Sequence, residues 1–171
     1  MRNLTTILKN RLKNAGRIAV LGMGSELRGD DACGILVARE LKKVCPHSNE
    51  HQKLRVFEGA TVPENLTGEI KRFKPTHLVI IDCVDAGKKP GAIASFNIEE
   101  TQGISCSTHR LPLKLMSDYL VKSIGCRIII LGIQPKQLDF GTGVSQEVKK
   151  AANKVSGLIK KILKMNIQIQ D

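Results

Sequence analysis

Two carboxylates and one imidazole are the residues in this 171-residue sequence best placed to do chemistry together. Asp31 closes the segment Gly22–Asp31 (GMGSELRGDD), Asp82 ends the apolar run Leu78–Asp82 (LVIID), and His109 sits in a Ser-Thr-His-Arg stretch. Carboxylate oxygens with a ring nitrogen make a donor set suited to a divalent transition metal. Three protein ligands leave coordination positions open, which a catalytic or metal-sensing site requires. The set exists only if three distant stretches of chain meet.

Each residue also has a plain structural use. Asp30 or Asp31 can cap the helix that follows, Asp82 can bond a nearby loop amide, and His109 can end its loop. Adjacent residues at a starting helix point in different directions, so one aspartate can cap while the other faces an ion. The positive end of that helix favours the ionised carboxylate. His47, His51 and His77 have no matching carboxylate at a strand end and read as surface or loop residues. The same loop offers Gly22 and Gly24 but leucine at 27, and Asp30–Asp31 would repel a pyrophosphate, so a dinucleotide fingerprint is disfavoured.

The elements that must position these groups can be read from periodicity. Leu4, Ile7, Leu8 and Leu12 recur at helical spacing, and Asn14–Gly16 ends that helix. Arg17–Gly22 (RIAVLG) reads as a buried strand, followed after the glycine loop by a helix through Leu41. Leu54–Glu58 alternates like a strand ending at Glu58. Thr61-Val62-Pro63-Glu64 offers a capping box with an early proline before a helix to Phe73. Leu78–Asp82 reads as a buried strand ending on its carboxylate, and Pro90-Gly91 turns the chain into a strand near Ala92–Ile98. A helix is expected around Leu111–Lys122, a strand at Arg127–Ile133, and a final helix capped by Ser145. The alternation predicts a single domain, 1–171, with an α/β fold. Its twisted, mostly parallel and mixed sheet of about five strands lies between helices in a three-layer α/β/α sandwich. Sites in such sheets form beyond the carboxyl ends of the strands, where Gly22–Asp31, Glu58, Asp82, Ser105–His109 and Gly132–Pro135 are expected to gather.

Composition narrows the class. An apolar share of 42 % fits a soluble globular protein. No apolar run approaches the roughly 20 residues of a membrane span. Lys9, Arg11 and Lys13 interrupt the place of a secretory h-region, which points to a cytoplasmic protein without membrane insertion. Cys33, Cys45, Cys83, Cys106 and Cys126 contain no C-x-x-C pair and read mainly as small core hydrophobes, with Cys83 and Cys106 close to the proposed site. The net charge of +11 suggests nucleic acid. However, Lys149, Lys150, Lys154, Lys160, Lys161 and Lys164 fall on the polar side of one helix and aromatic residues are scarce, so a solvated basic face is the reading and no nucleic-acid partner is expected.

The ordered series VLGMGSELRGDDACG (Val20–Gly34), EGATVPENL (Glu58–Leu66), LVIIDCVDAG (Leu78–Gly87), Pro90-Gly91, STH (Ser107–His109) and LGIQP (Leu131–Pro135) resembles the hydrogenase maturation endopeptidases. The resemblance is closest to the type serving formate-hydrogenlyase-like hydrogenases and runs from about Arg17 to Lys150. It implies a three-layer α/β/α fold and an endopeptidase that removes a C-terminal extension from the [NiFe]-hydrogenase large-subunit precursor after nickel insertion. The family's three metal-contacting positions fall on Asp31, Asp82 and His109, and its acidic recognition position on Glu58. Gly59 and Thr61 of the same motif are assigned with it to substrate recognition. Ser25 stands where the family usually has asparagine, and Glu58 where it usually has aspartate.

The implied mechanism has nickel carried by the precursor rather than permanently bound, although other divalent metals can occupy the site. Asp31, Asp82 and His109 would complete its coordination, and without the ion several kcal/mol of ligand contacts would be missing from the complex. Asp31 or Asp82 could activate water, as in a grouping with aspartyl proteases, with His109 moving protons; alternatively the ion itself polarises the carbonyl or water. A monomer acting on the large-subunit precursor is the expectation. The alternatives are a noncatalytic nickel-binding chaperone using the same trio, and a related α/β peptidase with another protein substrate.

Overall fold

The structure, a computed structural model, describes residues 3–43, 53–97, 105–106 and 110–168. Its elements in chain order are α1 (Leu4–Arg11), β1 (Ile18–Met23), α2 (Cys33–Lys42), β2 (Leu54–Ala60), α3 (Thr67–Phe73), β3 (His77–Asp85), β4 (Ile93–Phe96), β5 (Ser105–Cys106), α4 (Arg110–Ile124), β6 (Arg127–Ile133) and α5 (Gln146–Gln168). Five strands run in the order β2-β1-β3-β6-β4, and the short β5 pairs with the end of β3. β2, β1, β3 and β6 are mutually parallel, while β4 is antiparallel to β6 and β5 to β3. The sheet is therefore mixed and mostly parallel, as the alternation of elements predicts.

The central strands are apolar on both sides because helices cover both faces. On one face Ile18, Val20, Val79, Ile81, Ile129 and Leu131 pack with Leu8 of α1, Val37 and Leu41 of α2 and Val148, Val155 and Ile159 of α5. On the other, Ala19, Leu21, Leu78, Ile80 and Ile130 pack with Ile70 and Phe73 of α3 and Met116 and Leu120 of α4. The period-2 alternation within each strand thus feeds two separate cores. In α5 the exposed positions between the apolar ones include Lys149, Lys150, Lys154, Lys161 and Lys164. Among the described residues no helix is long and apolar enough to cross a membrane.

Four local expectations need correction. β3 does not end at Asp82 but continues to Asp85, because Val84 and Asp85 find partners in Cys106 and Ser105 of β5. β2 likewise runs past Glu58 to Ala60, with a register shift opposite Gly22 and Met23. The Thr61–Glu64 capping box does not form: a 3-10 turn, Pro63–Leu66, opens with proline and has no side-chain cap. His77 is neither loop nor surface. It is the buried first residue of β3; its Nδ1 contacts Thr76 Oγ1 at 3.0 Å and its Nε2 has no partner. Burial and the nearby Arg127 charge lower its pKa, so a neutral ring is the form that fits. His47 and His51 lie outside the described residues.

Candidate active site

The strand order places a switch point between β1 and β3. From β1 the chain crosses through α2 to β2 on one side, then returns through α3 to β3 on the other side. Loops leaving the carboxyl ends of two such strands part in opposite directions, and ligands of open α/β sheets bind in the opening they leave. Asp31 and Asp82 are both at this point. Register pairs Gly22 with Ile81, so Asp82 stands level with the end of β1.

Glycines bring the helix carrying Asp31 onto that edge. A Cβ on Gly34, in the first turn of α2, would lie 2.2 Å from Ile81 O and 2.4 Å from Met23 O. One on Gly22 would lie 2.1 Å from Gly34 O. Only hydrogen at both positions allows α2 to start directly above the ends of β1 and β3. Gly24, at φ +121, folds the loop back against the Asp31 carbonyl.

Asp31 is 4 % exposed and Asp82 1 %. Asp31 Oδ2 accepts a 2.9 Å bond from Ser25 N, closing its own loop. Asp82 Oδ1 accepts a 2.8 Å bond from Cys83 N. Cys33, two residues after Asp31, opens α2 and is buried. Its thiol pKa is raised well above the ordinary value by a hydrogen bond with Cys83, by burial, and by the charges of Asp82 and Asp31. The contact of Gly34 with the backbone of Ile81 and Met23 shows that the two distant stretches meet. Cys33, Cys83 and Cys126 are free and buried, as small core hydrophobes would be; Cys45 lies outside the described residues. His109, the third member of the expected trio, also lies outside them. Among the described residues no group of three His, Cys, Asp or Glu side chains is arranged to hold a metal ion.

The structure separates the two adjacent aspartates. Asp30 points away from the switch point and clamps the loop between β6 and α5. Its Oδ2 accepts from Lys136 N (2.7 Å), Gln137 N (3.1 Å) and Ser145 Oγ (2.9 Å), and its Oδ1 accepts from Ser145 N (2.6 Å). Burial alone would raise its pKa, but the amides of Ser145, Lys136 and Gln137 and the Ser145 hydroxyl outweigh this and lower it. Ser145 in turn accepts from Val148 N, the cap expected for α5.

Three further residues frame the edge: Arg39 and Lys42 had no part in the sequence reading, and Gln134 entered it only within the Gly132–Pro135 segment. Gln134 Oε1 accepts from Ala86 N and Lys88 N, and its Nε2 donates to Asp85 Oδ1. It ties the β3 extension to β6. Arg39 of α2 donates to both Glu26 and Glu58, and Lys42 adds a 2.8 Å bond to Glu58. Glu58 is therefore engaged on the α2 side of the sheet, and the hydrogen bond from Lys42 lowers its pKa most, against the opposing effect of burial. A Cβ on Gly59 would lie 2.8 Å from Leu21 Cδ1, so a larger residue there would make that leucine shift, and Thr61 is exposed. The spacing of Gln134 and Asp85 in sequence carries no signal of their bond, because it arises only from strand pairing.

A family model described as hydrogenase maturation protease matches residues 35–164. The chain belongs to the hydrogenase maturation protease family. It is similar to a Methanocaldococcus jannaschii protein provisionally named a hydrogenase maturation protease, with 39 % identity over 160 residues covering 92 % of this chain and 94 % of that one. The Hydrogenase 3 maturation protease of Escherichia coli K12 is 33 % identical over 137 residues, 80 % of this chain and 84 % of its own. The crystal structure of the [NiFe] hydrogenase maturation protease HycI from Thermococcus kodakarensis superposes with a TM-score of 0.83 at 31 % identity, covering 92 % of this chain and 99 % of that one. The protease is thus a peptide-bond hydrolase that processes a hydrogenase precursor, and the endopeptidase fold expected from its motifs is the one observed.

Proposed function

We propose that this protease removes the C-terminal extension of a [NiFe]-hydrogenase large-subunit precursor after nickel insertion, and that it recognises the nickel held by that substrate. The observation that carries the reading is the meeting of Asp31, from the β1–α2 loop, and Asp82, from β3, both buried, at the β1/β3 switch point. Two carboxylates beside a helix start can accept a cation that a neutral site would not. His109 is assigned as the third donor from the family motif. Glu58, Gly59 and Thr61 are assigned to the substrate's approach; because Arg39 and Lys42 hold Glu58, its part would be through the charge of that whole cluster.

In this mechanism the precursor's nickel docks on Asp31, Asp82 and His109, which places the scissile peptide beside them. A carboxylate takes a proton from water, the resulting hydroxide oxygen attacks the carbonyl, and as the C–N bond breaks His109 relays that proton from the carboxylate to the leaving amine. Binding energy from the ion makes cleavage wait for nickel. The protease would act as a cytoplasmic monomer, grouped by its carboxylates with aspartyl proteases.

The test is mass spectrometry of nickel-loaded and nickel-free precursor after incubation with the protease. Cleavage of the loaded form alone is expected. Equal cleavage of both overturns nickel recognition, and cleavage of neither overturns the assignment. Asp82→Asn and His109→Ala should each abolish processing while leaving the circular dichroism spectrum unchanged.

A further inference from the structure

Gln134 is the first residue after β6 and is only 7 % exposed, yet both polar atoms of its side chain have partners. Its Oε1 accepts from Ala86 N at 2.9 Å and Lys88 N at 3.0 Å, and its Nε2 donates to Asp85 Oδ1 at 3.0 Å. Its backbone holds the same connection between β3 and β4: Gln134 N donates to Ala92 O and Gly91 N donates to Gln134 O, both at 2.9 Å. Burying an amide side chain is costly without such bonds. An apolar residue here would leave the Ala86 and Lys88 amides without this acceptor.

The place of these bonds matters more than their number. Main-chain pairing of β3 with β1 ends at Ile81, and with β6 at Cys83. Asp82 therefore stands just past the last β1 pair, and beyond Cys83 the strand has left both parallel neighbours. There it is held by β5, which pairs Cys106 with Val84 and Ser105 with Asp85, and by the Gln134 amide on Asp85. Antiparallel pairing directs the chain leaving Cys106 back along β3 toward Asp82. His109 follows three residues later, a length of chain that reaches no more than about 10 Å. The end of β3 thus bears on one carboxylate directly and, through β5, on the segment that supplies the imidazole.

We propose that Gln134 is a positioning residue of the protease: by fixing Asp85 it holds the end of β3 and its partner β5 in the register that brings the His109 segment to Asp82. This rests on the processing function, and on the role of His109 in it, proposed above. Asp85 is exposed, and a bond at the surface exchanges readily with water, so it adds little to global stability. Its effect is on the placement of the strand end, where a shift of about 1 Å in a reacting group is enough to slow a reaction about 100-fold.

The experiment measures kcat/KM on nickel-loaded precursor well below Tm, together with amide hydrogen exchange, for wild type and three variants. Gln134→Glu keeps an acceptor for the Ala86 and Lys88 amides but sets a carboxylate against Asp85. Gln134→Glu/Asp85→Asn gives that carboxylate a donor again. Asp85→Ala, at an exposed position, removes the acceptor of the Gln134 bond and carries the test if Gln134→Glu does not fold. Gln134→Glu should lower kcat/KM about 100-fold and Asp85→Ala about ten-fold or more, and the paired variant should recover to within about ten-fold of wild type. Amides at 83–88 and 105–106 should exchange faster in both single variants and slow again in the pair, with β1 unchanged. Wild-type kcat/KM in Asp85→Ala, or a paired variant no more active than Gln134→Glu, overturns the positioning role while wild type still cleaves. Unchanged exchange at 105–106 in the single variants breaks the link from Gln134 to β5 and overturns it equally. A wild type that cleaves no precursor instead overturns the processing function and this role with it.

Discussion

Asp30→Asn separates the two neighbouring aspartates by their physics. Asp30 is fully buried and accepts four bonds, from three main-chain amides and one hydroxyl. Bonds to a charged acceptor contribute roughly 1.5–3 kcal/mol each, and they are not additive. Asparagine is nearly isosteric but replaces one oxygen by an NH2 group. If its remaining oxygen keeps Lys136 and Gln137, the amide nitrogen faces Ser145 N, donor against donor. The loss of one charged bond, the opposed donors and the weakened neutral acceptor together suggest a cost of about 3 kcal/mol. For a chain of this length each kcal/mol moves Tm by roughly 2–4 °C, so Tm should fall by about 6–12 °C at neutral pH. The sign of the pH dependence follows from the lowered folded-state pKa. The carboxylate's contribution is complete above the unfolded value, near about 3.9, and is lost as pH falls through the lower folded value. Calorimetry of wild type and variant should therefore show a gap that is wide at pH 7 and narrows below about pH 4. An Asp30→Asn protein with wild-type Tm, or a gap unchanged by acid, would refute the clamp. The variant should still process precursor below its Tm, while Asp31→Asn should not.

Other outcomes follow from packing and burial. Gly34→Ala should cost about 3 kcal/mol or more despite alanine's better helix propensity, because the new methyl meets the backbone of Ile81 and Met23; urea unfolding measures it, and a neutral result would sink the close-approach argument. Gly157→Ala in α5, with nothing near the added methyl, should instead stabilise by about 0.5–1 kcal/mol in the same assay. Cys126 is buried and its thiol is pushed up to about 11 by burial, against an opposing bond from the Leu78 backbone. Peptide mapping after iodoacetamide treatment at pH 8 should find it unlabelled in the folded protease and labelled in urea; rapid labelling of the native protein would contradict its burial.

The sequence alone determined the elements whose signal is local. Arg17–Gly22, Leu78–Asp82 and Arg127–Ile133 are apolar runs that only a doubly covered sheet can bury, so they specified the layered fold and put Asp31 and Asp82 toward its carboxyl edge. The motif series then carried the family. Tertiary structure alone decided what depends on partners far along the chain. Nothing in two consecutive aspartates says that Asp30 serves Lys136, Gln137 and Ser145 while Asp31 turns to the switch point; that division follows from the β6–α5 loop arriving on one side only. β3 outran its expected end because β5 supplied a partner, and Glu58 became an ion-paired residue because α2 crossed beside β2. Periodicity records which side of an element is buried, whereas hydrogen bonds and ion pairs are settled by which other element happens to lie there.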